Sequence, residues 1–203
     1  MILKIYPKNP DENQIQKVVE ILKNGGIAII PTDSVYGIAC SIYSSKAIEK
    51  LAGFKGVKPE KAEFSFIFDK IANMAEYTKP ISNDTFKILK KNLPGPFTFI
   101  LESNLKVQKI FSGKKKTIGV RIPNNNITLE IVRQLGNPII NTSVHDEDEI
   151  LEYTTDPSLI HERYESLVDV VIDGGYGNNE PTAIIDCTGE IAEILRDGVK
   201  ELL

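Results

Sequence analysis

A few short stretches of this chain concentrate the residue types that can do chemistry. Pro31-Thr32-Asp33-Ser34-Val35-Tyr36-Gly37 sets two hydroxyls, a carboxylate and a phenol within seven residues. It follows Gly25-Gly26 and the apolar run Ile27-Ala28-Ile29-Ile30, the pattern of a strand buried on both faces. Pro31 lacks an N–H and ends the ladder there. The polar cluster is therefore expected at the C-terminal end of a core strand, the edge at which α/β sheets bind ligands. The same residues also make turns by bonding their own backbone, so a plain chain reversal is the competing expectation.

A second stretch is Thr117-Ile118-Gly119-Val120-Arg121-Ile122. Period-two alternation sends Ile118, Val120 and Ile122 to one face and Thr117, Gly119 and Arg121 to the other. An apolar face opposite a Thr/Gly/Arg face suggests core on one side and a ligand floor on the other. Thr117 and Arg121 would lie roughly 13 Å apart at about 3.3 Å per residue, a span suited to two ligands or two ends of one. Gly119, with no side chain, would let a flat group approach the backbone. Ile139-Ile140-Asn141-Thr142-Ser143 likewise runs from apolar to polar toward a strand end. Lys55 opens Lys55-Gly56-Val57-Lys58-Pro59-Glu60-Lys61, a loop whose lysines could neutralise phosphates or simply form a solvated charge run.

The elements that must position these residues are legible in outline. Asn9 as cap, Pro10 at the first helical position and Glu12 closing a capping box predict a helix start. Ile15, Val18, Val19 and Leu22 then share one face, and Asn24-Gly25 ends the helix. Strands are expected at 27–30, 64–68, 98–101, 117–122, 138–141, 168–172, 182–186 and 193–196. Helices are expected at 45–51, 83–93, 127–135 and near 157–164, with Pro94-Gly95-Pro96 halting the second. Residues 144–153 read as a polar, acidic loop. Early alternation of strands with helices, then closely spaced strands, implies a twisted mixed sheet with flanking helices in one domain spanning 1–203.

Composition narrows the function. The chain has 203 residues, 41% of them apolar, enough for a sizeable core. A net charge of −4 opposes a surface built wholly for nucleic acid, though Lys106, Lys109 and Lys114-Lys115-Lys116 form a local basic cluster able to anchor ATP or RNA phosphates. Cys40 and Cys187 are too few for a disulfide framework, and Cys40 reads as a small core residue. His145 and His161 have no metal-ligand spacing, and His161 reads as a helix surface residue. Neither a P-loop nor a dinucleotide fingerprint occurs. The N-terminus turns polar before a signal-peptide core could form, and no run reaches the roughly 18 apolar residues of a membrane span, so a cytoplasmic protein is expected.

Five motifs taken in order resemble the YrdC/YciO family: Pro-Thr-Asp-Ser-Val-Tyr-Gly at 31–37, Leu-Pro-Gly-Pro-Phe-Thr at 93–98, Thr-Ile-Gly-Val-Arg-Ile-Pro at 117–123, Asp-Gly-Gly at 173–175 and Leu-Arg-Asp-Gly at 195–198. The 117–123 segment, the acidic loop and Glu-Pro-Thr at 180–182 look closest to the YciO subgroup. The resemblance implies a YrdC-like α/β fold with a concave, basic cleft. It also implies the chemistry of threonylcarbamoyl-AMP synthases, in which ATP, L-threonine and bicarbonate give threonylcarbamoyl-AMP and pyrophosphate for tRNA modification. By motif, Thr32, Arg121 and Thr182 would hold threonine, and Lys55, Thr117, Ser143 and Arg196 would contact ATP. Magnesium would accompany the triphosphate. No residue is singled out as the catalyst, and no protein metal site is implied. Three positions depart from the family pattern. Val57 replaces the arginine of Lys-x-Arg, His145 replaces the asparagine of Pro-Ser-Ala-Asn, and no histidine stands at 65–67. These departures leave two alternatives, a weakly active synthase relative or an enzyme using another amine. A third is a non-catalytic module of this fold that binds a nucleotide, tRNA or double-stranded RNA.

Overall fold

A computed structural model of the chain describes residues 1–113, 115–144, 152–198 and 200–203. Lys114, His145 and most of the acidic loop therefore lie outside the described residues.

The strands are β1 (Ile2–Lys4), β2 (Ile27–Ile30), β3 (Gly37–Ser41), β4 (Ser65–Ile67), β5 (Phe97–Glu102), β6 (Thr117–Arg121), β7 (Ile139–Ser143), β8 (Val170–Asp173), β9 (Ala183–Asp186) and β10 (Glu193–Arg196). They form one mixed sheet in the order β1-β8-β2-β3-β7-β4-β6-β5-β9-β10. The helices are α1 (Glu12–Lys23), α2 (Ser45–Gly53), α3 (Asn83–Asn92), α4 (Leu105–Ile110), α5 (Asn126–Leu135), α6 (Glu152–Thr155) and α7 (Pro157–Tyr164).

The expected apolar face of α1 is the observed one: Ile15, Val18, Val19 and Leu22 are fully buried. Its cap is not Asn9 but Asp11, whose carboxylate accepts from the Gln14 N–H at 2.9 Å. A carboxylate there also meets the positive end of the helix dipole, an advantage the amide of Asn9 lacks. The helix ends at Asn24, and Gly25 turns the chain at φ +80°, where a side chain would be strained.

β2 is buried at all four residues, as its unbroken apolar run implies. It pairs parallel with β8 and antiparallel with β3. The 31–36 segment thus reverses the chain between two neighbouring antiparallel strands rather than feeding a crossover helix. Sequence patterning misses β3 because Gly37-Ile38-Ala39-Cys40-Ser41 is rich in small residues and poor in the β-branched and aromatic ones that mark strands. It misses β1 and α4 for want of length.

Strand alternation divides the sheet into two faces with different fates. One face is largely apolar, with Thr142 at the end of β7 a polar exception: Ile29, Ile38, Ile140, Phe66, Val120 and Phe99 join Phe64, Phe68 and Ile118 in one large cluster with side chains of α2 and α7. The other face is split. Ala28, Ile30, Ala39, Ile139 and Ile67 pack beneath α1 and α5. Beyond them the same face carries Asn141, Ser143, Ser65, Gly119 and Arg121, polar or side-chain-free positions on β7, β4 and β6. Ser143 and Thr117 are exposed, and Ser65 and Gly119 half-buried. The helices that cover half this face leave a polar floor on the rest.

Candidate functional site

The floor is organised around Arg121. Its side chain is almost wholly buried, and it borders the 31–36 reversal. Nη2 donates to Asp33 Oδ1 and to Ser34 Oγ, both at 3.1 Å. Burial pushes the guanidinium down from its usual range, Asp33 opposes that, and the nearby charge of Arg196 adds to it. Nε is buried with no hydrogen-bond partner. Asp33 is fixed in turn, its Oδ2 accepting from the Asn124 N–H at 2.8 Å.

Thr32 has a double role in this geometry. Its Oγ1 donates to the Val35 carbonyl at 2.8 Å and accepts from the Ser34 N–H at 3.0 Å, the local bonding that makes a hydroxyl a turn former. The turn and the site expected for Pro31–Gly37 are therefore one object: Thr32 shapes the reversal that carries Asp33 and Ser34 to Arg121. Tyr36 anchors the reversal from below. Its buried phenol donates to the Gly175 carbonyl at 2.6 Å and accepts from the Gly174 N–H at 3.2 Å. The Asp-Gly-Gly motif is thereby tied to the first motif, and Gly177 is needed because a Cβ there would fall 2.7 Å from the Tyr36 ring.

Thr182 lies on the opposite side of the floor. Its Oγ1 shares a 2.9 Å hydrogen bond with Thr98 Oγ1. Its carbonyl accepts from Arg196 Nη2 at 2.8 Å and Nε at 3.1 Å. Arg196 is thus grouped with Thr182 and within electrostatic reach of Arg121. Gly119 does not leave an open approach to the backbone: a Cβ there would fall 2.9 Å from Thr98 Cγ2, so the chain's own threonine takes that space.

Lys55 and Ser143 line a separate cavity of about 990 Å³, together with Val57, Lys61, Thr142 and Arg163. Thr117 and Arg196 are not among its walls. Ser143 pairs in register with Gly37, so the two regions adjoin where β3 begins and β7 ends. Thr117 sits at the far end of β6, opposite Glu102. The structure therefore brings together Thr32 and Arg121, then Thr182 and Arg196, then Lys55 and Ser143, and leaves Thr117 apart on the same floor.

The positions that depart from the family pattern are also located. Val57 is 40% exposed at the cavity rim. Of residues 65–67 only Ser65 faces the open floor, since Phe66 and Ile67 belong to the two cores. Among the basic residues, Lys115 is turned inward: Nζ donates to the Ala62 carbonyl at 2.6 Å and lies 5.5 Å from the Phe111 ring centre. Lys106 pairs with Glu76 and lies 4.4 Å over the Tyr77 ring. Neither is a solvated phosphate anchor. Cys40 is wholly buried, which pushes its thiol up to about 12, as suits a core residue. His161 is half-buried on α7 rather than fully on the surface.

Asp33, Ser34, Thr98 and Asn141 are site members that sequence reasoning did not assign. Asp33 and Ser34 carried a signal, since a buried arginine needs a counter-charge and its motif neighbour supplied one. Thr98 and Asn141 carried none beyond their strand positions; Asn141 is buried with Oδ1 unpartnered. Among the described residues no group of three His, Cys, Asp or Glu side chains could hold a metal ion. No helix among them is long and apolar enough to cross a membrane.

The chain belongs to the Sua5/YciO/YrdC family, whose model, described as telomere recombination, matches residues 20–198. Within it, the chain is 34% identical over 200 residues to the Escherichia coli K12 protein named Uncharacterized protein YciO, covering 98% of this chain and 95% of that one. The crystal structure of E. coli YciO superposes with a TM-score of 0.89 over 99% of this chain and 97% of that one, at 33% identity. The threonylcarbamoyl-AMP synthase of Coxiella burnetii is 25% identical over 182 residues, which cover 89% of this chain and 96% of that one. The crystal structure of P. abyssi Sua5 complexed with L-threonine shares the fold at a TM-score of 0.84 and 21% identity, over 98% of this chain and 57% of that one. The mixed α/β sheet with flanking helices read from the sequence is thus the fold of this family.

Proposed function

We propose that this chain is an ATP-dependent L-threonylcarbamoyladenylate synthase of the YciO type, joining L-threonine, bicarbonate and ATP into threonylcarbamoyl-AMP with release of pyrophosphate for tRNA modification. The observation that carries the reading is the orphaned, buried Nε of Arg121 on a polar floor. A buried donor without a partner costs stability and calls for an explanation, and a ligand carboxylate supplies one. The likeness to a named synthase and to a Sua5 that binds L-threonine makes the amino-acid carboxylate its natural occupant.

In this reading Arg121 binds the carboxylate through Nε while Nη2 stays on Asp33 and Ser34. Thr182 and the turn held by Thr32 border the amino acid. Threonine's amine captures the carbon of bicarbonate-derived CO2. The resulting carbamate oxygen attacks the α-phosphorus as pyrophosphate leaves. Lys55 and Ser143 hold the phosphate end of ATP, and Arg196 adds positive charge beside Thr182. Thr117 borders the nucleotide from the end of β6. The protein contributes positioning and charge neutralisation rather than a covalent step. Magnesium would enter with the triphosphate. RNA contact is a lesser part of the proposal and is weak, because Lys106 and Lys115 are occupied within the chain. Cytoplasmic action follows from the proposed reaction.

Calorimetric titration with L-threonine and with its methyl ester tests the site. Binding of threonine and loss of binding with the ester, which lacks the carboxylate charge, is expected. Equal binding of both, or of neither, overturns the assignment of Arg121.

A further inference from the structure

Arg121 Nε is not the only buried polar atom of the floor without a hydrogen-bond partner; Asn141 Oδ1 is another. Asn141 is almost wholly buried on β7. The two atoms have opposite needs. A guanidinium N–H only donates and calls for an acceptor, whereas an amide oxygen only accepts and calls for an N–H or O–H. Each unmet group costs stability, and a carboxylate on Arg121 answers only the first.

Strand register places Asn141 between the two ends of the site. It pairs with Ser65, and Ser65 pairs with Gly119, so these three form one row across β7, β4 and β6. Arg121 lies two residues beyond that row along β6, and Ser143 lies two residues beyond it on the opposite side, along β7. Each step is about 6.6 Å at about 3.3 Å per residue, and all these side chains share one face. The 31–36 reversal spans the same gap. Its Ser34 accepts from Arg121 Nη2, and Gly37 lies so close to Asn141 that a Cβ there would fall 2.7 Å from Nδ2. Three residues of chain keep Ser34 and Gly37 within about 11 Å of each other. The two unmet groups therefore lie within the compass of one small ligand.

We propose that Asn141 is the amine-binding residue of the site, its Oδ1 accepting from the α-ammonium of an amino acid whose carboxylate lies on Arg121. This rests on the reading of the floor as the amino-acid site. An α-amino acid carries an acceptor and a charged donor on one carbon, so it meets both needs at once. A charged donor makes the stronger hydrogen bond, which favours the ammonium over a side-chain hydroxyl. In the proposed reaction the amine is the group that must sit between the carboxylate anchor and the phosphate end at Ser143. The row of Asn141 is that place.

Calorimetric titrations of three ligands into the full chain and its Asn141→Ala and Asn141→Leu variants decide it. The ligands are L-threonine, L-2-aminobutyrate, which lacks the hydroxyl, and (R)-3-hydroxybutyrate, which lacks the amine. Both variants are expected to bind L-threonine and L-2-aminobutyrate about tenfold more weakly than wild type, the loss of a hydrogen bond to a charged group, and to leave (R)-3-hydroxybutyrate unchanged. Asn141→Leu keeps the shape of the side chain and removes the unmet acceptor, so its unfolding midpoint is expected at or above that of wild type. Losses confined to the two hydroxyl-bearing ligands would overturn the assignment by giving Asn141 to the hydroxyl. Equal losses for all three, no loss for any, or an Asn141→Leu midpoint well below wild type would overturn it as well. Wild-type protein that fails to bind L-threonine would instead overturn the reading of the floor.

Discussion

Replacing Asp33 by asparagine keeps the shape of the side chain and removes the carboxylate charge paired with Arg121. The two side chains are 10% and 5% exposed, so solvent cannot take over that role. Removing one partner of a buried ion pair costs about 3–5 kcal/mol, because the other charge is left uncompensated. The lower end applies here: Nη2 keeps Ser34 Oγ at 3.1 Å and the new amide oxygen can still accept from it, while the Asn124 N–H that loses Oδ2 is exposed enough to bond water. A loss of about 3 kcal/mol corresponds to a midpoint lower by about 6–12 °C in a chain of this size. Urea and thermal unfolding of wild type, Asp33→Asn, Arg121→Met and the double variant measure it. The double variant should recover much of the loss, since no unpaired charge remains. L-Threonine should stabilise Asp33→Asn more than wild type, because its carboxylate replaces the missing negative charge. An Asp33→Asn protein within about 1 kcal/mol of wild type, or a double variant that loses the sum of both singles, would refute the idea of a coupled buried pair.

Tyr36→Phe should cost about 1–2 kcal/mol in urea unfolding, because the Gly174 N–H and Gly175 carbonyl lose their shared partner; the exposure of Gly175 keeps the figure low. Val57→Arg adds a guanidinium at the cavity rim and should raise threonine- and bicarbonate-dependent pyrophosphate release tenfold or more; no gain in a variant that folds and binds ATP would locate the deficit elsewhere. Lys115 is held below the ordinary lysine range by burial, with Glu63 opposing. Its unfolded form keeps the proton to higher pH than its folded form, so wild type should gain stability over Lys115→Met as pH rises toward about 10.4. A flat difference between the two denaturation series across that interval would contradict it.

Much of this organisation is written locally, and the remainder is not. The apolar spacing of Ile15, Val18, Val19 and Leu22 reveals the buried face of α1, and the alternation in 117–122 separates core from floor, because both depend only on period. The stop at Pro31 and the arginine on the polar face of β6 are local signals too. What stayed hidden depends on which strands become neighbours. β3 is legible only once β2 and β7 are placed on either side of it. The filling of the Gly119 space by Thr98 depends on β5 lying beside β6. The inward turn of Lys115 depends on the carbonyl of Ala62, 53 residues away. The separation of Arg196 from the Lys55 cavity likewise requires the sheet order, which no stretch of sequence states.

The most direct test of the proposed activity is chemical. Pure protein incubated with ATP, bicarbonate and L-threonine should release pyrophosphate and form threonylcarbamoyl-AMP, with product detected by mass spectrometry and lost when any one substrate is omitted. Absence of the adenylate under conditions in which both ATP and threonine bind would contradict the synthase assignment.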